Sequence, residues 1–378
     1  MSGKPSPITP AVLAWAIEED GRPPVDLAEK LKVDRSVLDE WTDGDSRPTV
    51  GQVTELARVL KRPRALFFLP RPPAAATLPA TFRHPPGDDR LVGSEARRRV
   101  RQARRIQSAV SWALADEEPL HVPHFPLAAS APRAAAEVRE WLGVSDGEQS
   151  LWDNDYEALR GWRDALDARG IFVFSLEIGR DDVRGFSAWD DRAPLIVMNA
   201  SSVSAAARCF TLGHELGHLV TRQDAACIEL KDGQPFEVPI ERWCEEFAAA
   251  LLMPEPRVRA IARTRGLSGG DADIEDVKAL MTAFRVSARA SALRLIDLGY
   301  AMRSLYSDVV RVFQPKPRPT TTDVRRPRRS VQRLAQFGPR ALETVLQDVP
   351  PFEALSILRM TVPDVRELAE KVPGVGVL

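Results

Sequence analysis

Apolar residues recur at helical spacing along most of the chain and bunch into strand-like runs in one central stretch. Between residues 8 and 70, Ala11-Val-Leu-Ala-Trp-Ala-Ile predicts a first helix, broken at Gly21-Arg-Pro-Pro. Leu27, Ala28, Leu31 and Val33 mark a second helix, and Val37, Leu38 and Trp41 a third. Pro48-Thr opens a fourth, which carries Val53, Leu56, Ala57 and Leu60. Residues 71–93 are a proline-rich, extended connection.

In the segment 94–134, Ala96, Val100, Ala103, Ile106 and Val110 form an apolar stripe on a helix that also carries Arg97, Arg98, Arg99, Arg101, Arg104 and Arg105. This pattern predicts an amphipathic helix packed on a neighbour, with a solvated basic face, rather than a nucleic-acid stripe. Residues 133–170 are predicted helical, with Val138, Trp141, Leu142, Leu159, Trp162 and Leu166 at core spacing. Three strands follow: Ile171-Phe-Val-Phe-Ser, Val183 to Trp189, and Leu195-Ile-Val-Met-Asn199. The last two meet at a turn around Asp190-Asp191.

A helix running through Ala205, Leu212, Leu216 and Leu219 is predicted next, then a polar link over 222–240 with a turn at Lys231-Asp-Gly-Gln. A second helix, from about Glu241, ends near Met253-Pro254. Residues 257–301 are again helical. The Pro- and Arg-rich stretch 314–330 predicts a flexible linker, and 331–378 a helical tail with apolar positions Leu342, Val345, Leu346, Leu355, Ile357, Leu358, Val365 and Leu368.

The chemistry gathers on two of these helices. His214-Glu-Leu-Gly-His218 is an HExxH pattern, whose spacing puts both imidazoles on one helix face within reach of one ion. Glu215 sits beside them, placed to take a proton from an attacking water. A third ligand must come from downstream. There Glu241 and Glu245 lie four residues apart and face the same way. The layout is similar to that of thermolysin, which implies Glu241 as third zinc ligand and Glu245 as the carboxylate steadying a ligand histidine. Glu246 points about a hundred degrees away round the helix and is the weaker choice.

Composition narrows the class. The chain has 378 residues, a net charge of −1 and 44% hydrophobic residues, room for two or three domains and a sizeable core. No run of eighteen apolar residues and no signal-peptide core is present. Cys209, Cys227 and Cys244 are too few and too scattered for a disulfide framework, so a soluble, cytoplasmic protein with no membrane partner is expected. Cys209 and Cys244 fall on the two site helices, where buried packing is their expected role.

Five motifs taken together resemble the ImmA/IrrE family of zinc metallopeptidases over residues 135–301. They are Gly170-Ile-Phe-Val-Phe, Arg184-Gly-Phe-Ser, Pro194-Leu-Ile-Val-Met-Asn199, the HExxH helix, and Glu241 with Phe247-Ala and Leu251-Leu-Met-Pro254. The family usually carries Asn or Asp where this chain has Glu245. The spacing of residues 8–70 resembles an XRE-type helix-turn-helix, and Phe67-Phe-Leu-Pro and Phe82-Arg-His84 resemble segments that follow it in XRE–peptidase fusions.

These resemblances imply a mostly helical α+β chain. An N-terminal helix-turn-helix bundle would precede a zincin-like (gluzincin) domain with a small β-sheet and a helical C-terminal region. They imply a Zn2+-dependent endopeptidase that cleaves a regulatory protein, commonly a helix-turn-helix repressor, in a stress, phage or mobile-element response. An edge strand of the sheet would pair with the extended substrate. His121 and His124, in a proline-containing loop, are candidate donors to the oxyanion, and His84 is expected at the surface.

DNA binding does not come with the helix-turn-helix reading. Residues 34–45 set Asp34, Asp39, Glu40, Asp43 and Asp45 against Arg35 alone, which repels a phosphate backbone. Two other functions stay open: a DNA-binding regulator that uses the peptidase fold as a sensor, and an antitoxin-like protein that acts by binding.

Overall fold

A computed structural model describes residues 4–73, 94–179, 183–201, 204–222, 225–228, 239–314, 327–372 and 374–375, with the backbone alone at 94 and 225–228. Most of the proline-rich connection with His84, the turn at Lys231 and most of the Pro/Arg-rich stretch fall outside these residues. The described residues divide into two compact units, the first made of residues 4–73 and 94–102, the second of those from 103 onward.

The first unit holds α1 (Pro10–Asp20), α2 (Pro24–Leu31), α3 (Arg35–Asp43) and α4 (Val50–Val59), then a 3-10 turn over Arg64–Phe68. Local signals end and start these helices. Gly21 closes α1 in the left-handed region (φ 74°), and Thr49 opens α4 with a capping box to Gln52. Leu13, Leu27, Leu38, Trp41, Leu56 and Phe67 make its core. On α3 and at its two ends, Asp34, Glu40, Asp43 and Asp45 are exposed, and Arg35 is paired with Asp39 at 2.8 Å.

The helix α5 (Ser94–Ala113) carries residues of both units. Its apolar stripe is fully buried from Ala96 to Val110. Its first four arginines are bonded. Arg97 and Arg101 donate to the carbonyls of Glu18 and Glu19 at the end of α1, and Arg98 and Arg99 pair with Glu95.

In the second unit α6 (Ala131–Leu142), α7 (Asp146–Ser150) and α8 (Asp155–Ala168) lead into the sheet strands β1 (Phe172–Leu176), β2 (Val183–Ala188) and β3 (Leu195–Asn199). Then come α9 (Ala205–Val220), β4 (Ala225–Ile228) and α10 (Pro239–Leu252). The sheet order is β1-β3-β2-β4, with β1 parallel to β3 and the other pairs antiparallel. Every residue of β3 is buried, as in a strand covered on both faces. Val173, Ile196 and Met198 join the core shared with α8 and α9. Asn199 pins the β1–β2 connection: its Nδ2 donates to Gly179 O and Val183 O, and its Oδ1 accepts from Ile178 N and Ser201 N.

The 222–240 link, expected to be polar with no strand, holds one in its described part. Ala225–Ile228 is a fourth strand, too short for its periodicity to stand out in the sequence, and it takes its conformation from pairing with β2.

The remaining helices are α11 (Glu255–Thr264), α12 (Ile274–Phe284), α13 (Ala288–Asp297) and α14 (Ser304–Val312), then α15 (Arg329–Phe337), α16 (Pro339–Asp348), α17 (Pro351–Leu358) and α18 (Val362–Ala369). The C-terminal helices are part of this unit rather than an appendage: α15 packs on β1, with Phe337 edge-on to Phe174 at 5.2 Å. The C-terminal carbonyls of α10, orphaned as at any helix end, are bound by buried side chains from far along the chain. Arg139 donates to Leu251 O (2.8 Å), Gln149 to Leu252 O (3.0 Å) and Arg294 to Met253 O (3.1 Å). Each bond from a guanidinium is worth roughly 1.5–3 kcal/mol, so they set where α10 stops. No helix among the described residues is long and apolar enough to cross a membrane.

Candidate metal centre

The site is built where α9 and α10 lie against each other. Ser204 caps the start of α9 by accepting from Ala207 N, and the Thr221 hydroxyl donates to Gly217 O and His218 O at its end. The close approach of the two helices depends on a missing side chain. A Cβ on Gly217 would lie 2.9 Å from Cys244 Sγ and 3.2 Å from its Cα, inside van der Waals contact. Cys244 is buried and packs there, as expected of a small residue, and burial raises its thiol pKa well above the usual range. Cys209 is buried likewise. On α10, Trp243 stacks on Phe247 and donates through Nε1 to Ala129 O at 2.8 Å, which fixes the rotation of the helix about its axis.

With that rotation set, Glu241 turns toward α9. His214 Nε2 donates to Glu241 Oε2 at 3.2 Å and lies 3.2 Å from His218 Nε2, while His218 Nε2 lies 3.5 Å from Glu241 Oε1. These three residues form a group that could hold a metal ion, both histidines buried and Glu241 partly so. Glu245 approaches the far side of the same imidazole, its Oε1 3.7 Å from His214 Nδ1. Glu246 points away, exposed and paired with Arg242.

Glu215 is fully buried beneath β2. A Cβ on Gly185 would come within 2.7 Å of Thr211 and 3.3 Å of Glu215 Oε1, so only glycine lets this strand lie so near the carboxylate. His121 lines an open groove with Trp141, Asp167, Arg169 and Arg340, and none of the cluster residues lines that groove. His124 is exposed, and its neighbour Phe125 donates its amide to Val220 O at the end of α9.

The charges around the cluster favour a positive charge within it. Burial alone lowers the His214 pKa, but its hydrogen bond to Glu241 and the charges of Glu245, Glu215 and Glu241 overcome it and push it up to about 9. Burial raises the Glu241 carboxyl, yet its hydrogen bonds and charge contacts with His218 and His214 carry it far below the ordinary range. Burial raises Glu245, against the opposing charge of His214.

The sequence pattern led to His214, Glu215, His218, Glu241 and Glu245, but not to Gly185 or Gly217. A signal for Gly217 was present: Gly213 and Gly217 on one helix and Cys244 and Ala248 on the next are small residues four apart. Gly217→Ala is expected to destabilise the protein by about 1–3 kcal/mol through overpacking, read as a lower melting temperature. An unchanged melting temperature would show that the helices can separate freely at this point.

Residues 166–295 match the family model of the M78 peptidases, described as an IrrE N-terminal-like domain. The matched stretch runs from the end of α8 into α13 and contains the whole cluster. No curated protein matches the chain.

Proposed function

We propose that this chain is a zinc-dependent metallo-endopeptidase in which His214, His218 and Glu241 hold the ion and Glu215 is the general base. The observation that carries the reading is the spacing of the donor atoms. Zinc bonds of 2.0–2.1 Å in a tetrahedron put neighbouring donors about 3.3 Å apart, and here they stand at 3.2, 3.2 and 3.5 Å.

Bound zinc would supply the Lewis acid that polarises a peptide carbonyl and makes water more acidic. The chain supplies the rest. Glu215, next to His214 on the same helix, accepts a proton from the attacking water and delivers it to the leaving amine. Glu245, beside His214 Nδ1, orients that imidazole so that Nε2 faces the cluster.

The substrate class we assign is a regulatory protein, a helix-turn-helix transcriptional repressor being the first candidate. The four-helix N-terminal unit we read as XRE-like. The acids exposed on α3 favour a protein partner for it over DNA.

The test is elemental mass spectrometry of the purified protein together with cleavage of dye-quenched casein. One zinc per chain and cleavage abolished by a chelator are expected; a chain that takes up no zinc when supplied with it sinks the proposal. Zinc uptake should also release protons. The pKa of His214 lies above its unfolded value of about 6.5, so in the metal-free protein its proton stabilises the fold fully below that pH and ceases to do so as pH rises through about 9. Zinc must displace that proton. Its apparent affinity is expected to climb about tenfold per pH unit up to about pH 9 and then level. Competition with a chromophoric chelator across pH checks this, and a flat profile from pH 7 to 9 would contradict it.

A further inference from the structure

The edge of β2 that lies over the candidate catalytic carboxylate is already paired. In β4, Ala225, Ala226, Cys227 and Ile228 run antiparallel to β2, opposite Ser187, Phe186, Gly185 and Val183. Gly185 is where an added Cβ would meet Thr211 and Glu215, so Cys227 stands in register with a point of β2 that lies against the site. An extended peptide that paired with β2 to bring a carbonyl over the cluster would need this same row of backbone groups. Pairing on the outer edge of β4 would instead set it one strand spacing, about 4.8 Å, further from Gly185.

We infer that β4 is a built-in occupant of the substrate strand position, so that an extended segment of a protein substrate must displace Ala225–Ile228 from β2 before it can be cleaved. The inference rests on the peptidase reading of the site.

Two features of the pairing fit a strand that can leave. It is four residues long, and its register slips between Val183 and Gly185, which leaves Arg184 as a bulge next to the site. The chain is held at Arg222, three residues before β4. Arg222 turns the chain out of α9 with a positive φ of 59°, stacks its guanidinium 3.5 Å from the Trp189 ring centroid just beyond β2, and donates to Val122 O. The substrate implied is a loop or unfolded segment, since only exposed backbone can replace a strand.

Two variants test this. Adjacent amides point to opposite sides of a strand, so Ala225→Pro with Ala226→Pro removes at least one bond to β2 whichever way β4 faces. Arg222→Gly removes the stack and keeps the positive φ without strain. If the strand-free state is populated at about 10% or less, releasing β4 raises apparent affinity about tenfold or more.

The expected result, with zinc content equal to wild type, is that much tighter binding of a fluorescein-labelled tetra-alanine hydroxamate and faster cleavage of dye-quenched casein. Hydrogen exchange at residues 183–188 should be faster in the free variants and slowed again by the probe. Wild-type affinity and exchange in Arg222→Gly, with zinc bound and the circular dichroism unchanged, would overturn the inference even if the proline pair fails to fold. A wild-type chain that binds no zinc would instead defeat the peptidase reading and this inference with it.

Discussion

Glu215→Gln is expected to lower peptide cleavage by about 10²- to 10⁴-fold while the chain keeps its zinc and its fold. The magnitude is that of removing a general acid–base group. Several observations make the substitution clean. Glu215 is wholly buried, so an amide of the same shape fills the same space. It is not among the three residues whose donor atoms converge, so metal content should stay at wild-type level. The carboxylate can accept the water's proton, and the amide cannot. A Glu215→Gln enzyme that cleaves casein at the wild-type rate would end the proposed mechanism, whatever the metal content.

The second large effect is expected at Glu241. Glu241→Ala should weaken zinc binding by more than about a hundredfold, because loss of a mere supporting partner of a ligand already costs about 10- to 100-fold. The electrostatics predict more than loss of a ligand. Glu241 supplies the leading contribution that raises the His214 pKa, so in the metal-free variant that pKa should fall. The high-pH loss of stability expected of the metal-free wild type should then move to lower pH.

Glu245→Ala is the control, since it removes the carboxylate near His214 Nδ1 and leaves all three donors in place. It should fall in the smaller range. Isothermal titration with zinc at fixed pH separates the two variants; equal losses at Glu241 and Glu245 would mean that the ligand assignment is wrong.

Residues that act within one or two helical turns were readable before any tertiary structure. His214 and His218 lie on one face because they are four apart, and Glu241 and Glu245 for the same reason. Gly21, Thr49 and the prolines that open or close helices act on their immediate neighbours, so the helices of the first unit lie where the apolar spacing placed them. That Glu245 rather than Glu246 shares a face with Glu241 followed from rotation about one helix, and Glu246 is turned outward to Arg242.

Distant partners decided the remainder. The chain around 225–228 has little strand character of its own, and its conformation follows from the free edge of β2, about forty residues earlier. That Gly217 must be glycine depends on Cys244, and that Gly185 must be depends on Thr211 and Glu215. The end of α10 depends on Arg139, Gln149 and Arg294, which nothing in the helix itself announces. The exposed loop position of His121 left the oxyanion role open, and the groove that holds it was formed by α6, α8 and α16.

The sequence by itself determined the helices and which of His214, His218, Glu241 and Glu245 share a helix face, because those follow from the 3.6-residue repeat. Only the tertiary structure decided how near two helices and a strand could come, and which backbone edge was already taken. Those depend on excluded volume and hydrogen-bond partners that are far apart in the chain.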